Sequence, residues 1–483
     1  MRVKRIYILL VLLMVAGCAA NTNTITPISP VAPTNIAQPV AVTAPTHSSP
    51  NLPTDKPPTY TPTLSPSPSV SAAPTFAQPA TPLAWLFVPE PTAEEQSSYT
   101  TNKHLYRSDN PGNRGLSGTV MSINGQGIVT PLARNVRQVI NQFERAPLFV
   151  MPIDASGTLG IVDPLTTEIV AHQAAEAISP DRTRIVRRIA ADVPDGCNAS
   201  LTEETNLATG ITRTYDLFLN RTCGTATKII GWTDQGIYTR YLNRRNGSSL
   251  SLTNPDADPP ERKVQAAFDG LYAPMNAAFN ISAGLVLKGG CDWCTLELQV
   301  VNAEQPTMIT SDSTTFLLSL SPHGAWGGYV VSREQAWGRI DIGDVKVFKT
   351  NDPTRSTTIL TDTAVVGVIP EIGANRALLP EFPFLWSPDE QFLGVVTTTR
   401  TSENHWRNEP YFLQLFRTDT VQKIGMMQLP SDLGSVQVDN RGQVLLIQYE
   451  GDEATFIAHD ISSKQTMLPV PLGTTTPIII YVP

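Results

Sequence analysis

The sequence predicts an all-β chain: a β-propeller of about seven blades (six to eight), preceded by a disordered Pro/Thr/Ser-rich tether. Three observations predict it. A strand-turn-strand unit built on Ser-Pro-Asp recurs through the last four-fifths of the chain. Successive copies lie roughly 40 to 65 residues apart, the spacing of a four-stranded blade. Runs rich in β-branched and apolar residues, such as Leu393 to Thr398 and Gln443 to Tyr449, outnumber helical patterns.

The fullest copy of the unit is Phe384-Leu-Trp-Ser387-Pro388-Asp389-Glu-Gln-Phe392-Leu-Gly-Val-Val396. Pro388 presets φ for the second position of a tight turn, and Ser387 and Asp389 can bond nearby backbone N–H groups. Echoes are Ser179-Pro180-Asp181-Arg182, Ser321-Pro322-His323-Gly324 and, more worn, Asp439-Asn440-Arg441-Gly442. Weaker ones are Trp232 to Tyr238, Ile153 to Leu159 and Phe279 to Leu287. Glycine at the turn's end supplies φ > 0, though Arg182 and Glu390 replace it in two of the better copies. These turns resemble the Ser-Pro-Asp-Gly repeats of TolB-type β-propellers, also seen in the propeller domains of prolyl oligopeptidase relatives. The resemblance covers about a dozen residues of each repeat and implies the ring. It does not carry over a role, since TolB is a soluble periplasmic protein with a separate N-terminal domain. An all-β sandwich with Pro-rich turns is the other architecture that short, regularly spaced strands allow.

Residues 1–17 read as a secretory signal. Arg2, Lys4 and Arg5 precede an apolar run from Ile6 to Val15, too short to span a bilayer as a helix. The signal ends Val15-Ala16-Gly17-Cys18, which resembles the lipobox of bacterial lipoproteins. That resemblance implies cleavage before Cys18, acylation of its thiol, and a location on the cell membrane or outer membrane, facing the extracytoplasmic side. Residues 18–97 are rich in Pro, Thr, Ser and Ala with almost no charge, too polar to fold and biased toward extended polyproline II. One apolar cluster, Leu83 to Val88, offers a place to dock on the domain that follows. Residues 98–483 form the propeller. The best helical spacing in it is Leu132 to Glu144, through Val136, Val139, Ile140 and Phe143, and predicts a short helix. Ile478 to Val482 ends the chain with a strand that can share a blade with the first.

After Cys18 the cysteines are Cys197, Cys223, Cys291 and Cys294, an even number in an oxidising compartment. The expected disulfides are Cys197 with Cys223 and Cys291 with Cys294. A redox C-x-x-C opens a helix in a βαβ context, which is missing around Cys291. A four-Cys zinc site needs a second closely spaced pair. No cofactor or metal is expected. Loss of the three basic residues of the signal takes the formal charge from −8 to −11, which argues against nucleic acid as a partner. The one basic concentration, Arg182, Arg184, Arg187 and Arg188, reads as a solvated strand edge rather than a phosphate site.

No G-x-S-x-G or H-E-x-x-H motif occurs, and His104, His172, His323, His405 and His459 have no ligand spacing. Asp256-Ala-Asp258 and Asp341-Ile-Gly-Asp344 lack the spaced oxygens of an EF-hand loop and read as solvated turns. Trp326, Trp337 and Trp406 could line a binding rim or fill the spaces between blades. The sequons at Asn198, Asn220, Asn246 and Asn280 read as incidental. The functional expectation is a lipid-anchored extracytoplasmic binding or scaffold module of the cell envelope, with an envelope protein or glycan as partner. One alternative is an envelope hydrolase or lyase with an acidic site at the channel mouth. A second is a sensor ectodomain working through a membrane partner.

Overall fold

The computed structural model describes residues 82–93, 96, 116–142, 145–191, 199–215, 225–243, 247–257, 260–268, 277–289, 296–301, 303, 306–310, 315–336, 340–366, 383–399, 410–467 and 469–483. Their ordered elements are strands, paired antiparallel throughout. The fold is all-β, a succession of four-stranded meanders in the β-propeller manner, with eight meanders among the described residues, the upper bound of the expected range.

The first blade joins Ile478–Tyr481, Pro82–Pro89, Gly118–Asn124 and Val129–Val136, so the two ends of the described chain share one sheet. The second blade is Gln138–Gln142, Arg145–Pro152, Leu159–Val162 and Ile169–Ala171. The third runs from Ala177–Ile178 through Arg184–Ala191 and Ala199–Asn206 to Thr212–Tyr215. The fourth spans Thr225–Thr233 to Glu261–Phe268, and the fifth Ala277–Asn280 to Thr307–Thr310. The sixth, Thr315–Leu320 to Asp352–Val366, is hydrogen-bonded to the seventh, Phe384–Trp386 to Lys423–Gln428, making one eight-stranded sheet. The eighth is Leu433–Val438, Gln443–Glu450 and Glu453–Asp460, with Gln465–Thr466 and Val470–Gly473 sharing the outer edge.

Eight apolar clusters fill the spaces between these sheets, and each joins one blade to the next. Trp85, Phe87 and Phe149 join the first to the second. Val366, Leu413, Val438 and Val444 join the seventh to the eighth. Leu86, Ile123, Leu445 and Phe456 pack the eighth on the first, so the packing order is cyclic. Most inward-facing strand positions carry Val, Ile, Leu or aromatics, which suits sheets buried on both faces.

Two expectations are corrected. The strand Pro82–Pro89 lies in the segment assigned to the tether, so the folded part starts before residue 98. Leu83 to Val88 are all buried, and the segment pairs with strands on both sides. The helix expected over Leu132 to Glu144 is instead two strands, Val129–Val136 and Gln138–Gln142, in different sheets. Val136, Val139 and Ile140 of its apolar positions are β-branched, and Asn135 takes φ 57° just before the chain changes sheet. Val136 and Val139 are buried as expected, but through strand pairing. Phe143 and Glu144 lie outside the described residues. So do Cys18, both cysteine pairs, and the whole of residues 1–81.

Candidate functional site

The Ser-Pro-Asp turns sit where sequence placed them. In six successive blades, the third to the eighth, the turn between first and second strands is one of the predicted units. Ser387 carries the fullest version. Its hydroxyl accepts the N–H of Phe392 at 2.9 Å and donates to Asp389 at 2.7 Å, and Asp389 accepts the N–H of Gln391 at 3.1 Å. Ser179 and Asp181 repeat this with Arg184 and Thr183, at 2.9 and 3.1 Å to the backbone. Ser321 accepts the N–H of Trp326 at 2.9 Å, but His323 stands where the aspartate would be. Pro180 and Pro388 are half-buried and Pro322 is exposed. In the eighth blade one carboxylate replaces the Ser/Asp pair: Asp439 accepts the N–H groups of Arg441 at 2.9 Å and Gln443 at 2.7 Å. Ile153 to Leu159, also predicted as such a turn, lies between the second and third strands of its blade.

The fourth position of these turns has φ near +60 to +77° at Arg182, Gly284, Gly324, Glu390 and Gly442. It also touches the blade before it. A Cβ on Gly324 would collide with Ala283, and one on Gly284 would lie 2.5 Å from the amide of Gln235. Where the residue is not glycine, its side chain grips that neighbour. Buried Glu390 accepts the N–H of His323 at 2.6 Å. Arg182 donates to Asp163 at 2.8 Å and to Gln142 at 2.9 Å. Further bridges run from Asn280 to the carbonyls of Ser321 and Pro322, and from the N–H of Asp389 to Asn440. Asn440 also donates to the Pro483 carbonyl at 3.0 Å. The result is a rim of hairpins hydrogen-bonded from blade to blade. Its exposed tips are Asp181, Asp234, Gln235, Pro322, His323 and Arg441.

Ser387→Ala should cost about 1–2 kcal/mol, because two bonds inside a buried turn are lost. Urea unfolding read against the wild type checks this. Burial raises the Asp439 carboxyl above its ordinary range, against the two backbone N–H bonds that lower it. A group raised on folding contributes stability below its unfolded pKa and loses that contribution as pH rises through the folded value. Asp439→Asn keeps one acceptor oxygen and removes the charge. It should therefore be neutral in acid and gain stability relative to wild type toward pH 7. A pH series of thermal midpoints that showed a growing loss instead would contradict this.

The arginine run is spoken for. Arg182 pairs with Asp163, Arg187 with Glu203 at 2.6 Å, and Arg188 with Glu176 at 2.7 Å. Arg184 bonds Asp256 of the fourth blade and lies 4.9 Å over the Trp232 ring. Glu204, buried between the third and fourth blades, accepts Arg213 at 2.9 Å and the Tyr215 hydroxyl at 2.8 Å. Burial, and then the Glu204 carboxylate, push the Tyr215 phenol well above its usual range. The run is thus a set of ion pairs on a strand paired on both sides and on the turn before it, which corrects the solvated strand edge expected from sequence, and it is not an open phosphate cradle.

Among the other singled-out residues, Trp326 packs between the sixth and seventh blades beneath Lys349, 5.3 Å from its ring. Trp337, Trp406, His104, His405, Asp258, Asn198, Asn220 and Asn246 lie outside the described residues. His172 and His323 are exposed, and His459 bonds Thr466 at 2.7 Å. Asp344 pairs with Arg333 at 2.9 Å and accepts the N–H of Asp362, which holds its carboxyl below the usual range. Among the described residues no group of three or more His, Cys, Asp or Glu could hold a metal ion, and no helix is long and apolar enough to cross a membrane.

A second turn family went unread in the sequence. Third and fourth strands are joined by Asp163-Pro-Leu-Thr-Thr167, Asn206-Leu-Ala-Thr-Gly210 and Asp460-Ile-Ser-Ser-Lys464. In each, the first side chain accepts backbone N–H groups two and three residues on, and the fifth residue takes φ 58–68°. Asp/Asn followed by Thr/Ser three residues later was the available signal.

No family model matches the chain, and no curated protein matches it. Solved structures similar to it include TolB from Acinetobacter baumannii, at 12% identity over 71% of this chain and 81% of that one, with a TM-score of 0.31. A eukaryotic initiation factor matches at 8% identity over 76% and 87%, with a TM-score of 0.38. The tricorn protease matches at 9% over 73% and 41%, with a TM-score of 0.30. The fold assignment rests on the sheet order and the cyclic packing rather than on these distant likenesses.

Proposed function

We propose that the chain is a lipid-anchored extracytoplasmic β-propeller that acts as a binding or scaffold module of the cell envelope, with the turn rim as its docking end. The observation that carries this reading is the rim itself. Turns tied to the neighbouring blade across four junctions present polar tips whose positions are fixed before any partner arrives, which lowers the ordering cost of binding. The signal and lipobox at Cys18 support the anchor, and an envelope protein or glycan is the partner class such a location offers.

The test is crosslinking capture from the native envelope with the intact chain, a Cys18→Ala chain, and a chain carrying His323→Ala and Arg441→Ala. The expected result is a discrete protein or glycan held by the intact chain and lost when the rim tips are truncated. Capture that is indifferent to the rim would overturn the docking end. Release of product fragments from captured glycan would replace binding by cleavage.

A further inference from the structure

Seven large apolar side chains are exposed among the described residues, and four of them sit at the tips of one kind of turn in three adjoining blades. These are Ile128 (59% exposed), Leu165 (44%), Ile169 (38%) and Ile211 (69%), in or beside the loops joining third to fourth strands of the first, second and third blades. The tips are held rigidly. Asn124 accepts the N–H of Ile128, Asp163 that of Leu165, and Asn206 that of Thr209, all at 2.9–3.0 Å. Of the residues 124–128, 165–169 and 207–211, Glu168 alone is charged. The corresponding loops of the fourth, seventh and eighth blades are polar, at Asn254-Pro255-Asp256, Thr418-Asp419-Thr420 and Ser462-Ser463-Lys464, while in the fifth blade exposed Val300 and Met308 flank the loop but do not adjoin the other three. The apolar tips also adjoin the first described residue of the chain, because Pro82 is paired directly with Asn124.

We propose that these tips form a lipid-contacting edge, on which the domain rests against the bilayer. The proposal rests on the anchored reading above and deepens it. Isoleucine and leucine on uncharged, preformed loops lose water-exposed apolar area on entering the headgroup boundary. Three or four such side chains bind weakly on their own. An anchor on the same chain makes the contact intramolecular, and a millimolar effective concentration then suffices to populate it. The acidic net charge places the contact with apolar side chains rather than with attraction to anionic headgroups.

The test uses the mature chain from residue 18 with Cys18→Ser, so that no acyl chain or signal contributes. It is sedimented with phosphatidylcholine vesicles at millimolar lipid. The expected result is measurable co-sedimentation that falls by at least about ten-fold when Ile128, Leu165 and Ile211 are all replaced by serine. Met426→Ser, at an exposed position on the outer strand of the seventh blade, should leave it unchanged. Equal thermal midpoints establish that the variants are folded. No vesicle binding by the parent chain, or binding indifferent to the triple replacement, overturns the proposal. Loss of a captured envelope protein in the triple variant, with no vesicle binding by the parent, assigns the tips to a protein instead and equally overturns it. The anchor is read separately from the mass of the Cys18 peptide of the envelope protein. An unacylated Cys18 would remove the anchored reading while the vesicle result stood or fell by itself.

Discussion

Trp85→Ala is expected to lower the unfolding free energy by about 3–5 kcal/mol, the range for emptying a buried indole site. Trp85 is 1% exposed and lies 4.8 Å from the Tyr481 ring and 6.1 Å from that of Phe149. It therefore touches the last strand of the chain and the second blade at once. Its flanking residues Pro82, Pro89 and Pro91 look like more of the preceding Pro-rich segment, so the size of the effect decides whether this segment is structural. A change below about 1 kcal/mol in urea unfolding would remove Pro82–Pro89 from the fold and with it the shared first sheet. Protease sensitivity at residues 90–93 should rise in parallel, because the strand ahead of them loses its anchor.

Glu204→Ala should be the next most damaging change, at about 2–4 kcal/mol. The substitution strands the Tyr215 hydroxyl in a buried site and removes the carboxylate whose two oxygens accept from Arg213 Nη2. The figure stays below the cost of breaking a fully buried pair because Arg213 is 41% exposed and water can take over part of its solvation. Glu204→Gln should cost less, since an amide oxygen still accepts from the phenol. Glu204→Leu combined with Arg213→Met should recover much of the loss, because the junction then closes on apolar groups of similar length. Equal losses for Ala, Gln and the double replacement would show that the carboxylate's charge, and not the side chain's volume, holds this junction together. Urea unfolding of the four chains at one pH and ionic strength makes the comparison.

What the sequence disclosed follows from how local each signal is. Ser387 and Asp389 bond within a span of six residues around Pro388, so their pattern survives in the chain order. The strands expected at Leu393 to Thr398, Gln443 to Tyr449 and Ile478 to Val482 were legible from β-branched runs for the same reason. The rim's blade-to-blade bonds were not. Arg182 reaches Gln142 and Glu390 reaches His323 across distances in the chain that no period marks. Their signal was negative, a non-glycine at a position whose φ favours glycine, and it could be read only once the neighbour was known. The false helix at Leu132 to Glu144 arose because two consecutive short strands, each with its own buried face, mimic a period near 3.6 when read across their junction. The blade number was hard to fix because the second blade has no Ser-Pro-Asp turn and the first is split between the two ends of the described chain.

The fifteen-residue strand Asp352–Val366 begins as the outer edge of the sixth blade and ends inside the seventh. There Ala364 and Val365 pair with Thr398 and Thr397, ahead of Phe384 on the same edge. One covalent strand is thus common to two blades. Loss of either would drag the other, so amides on both should exchange with deuterium as a single cooperative block while other blades open separately. Among the described residues this is the one pair of blades joined by strand hydrogen bonds, and the expected consequence is a sector stiffer than the joints held by side-chain packing.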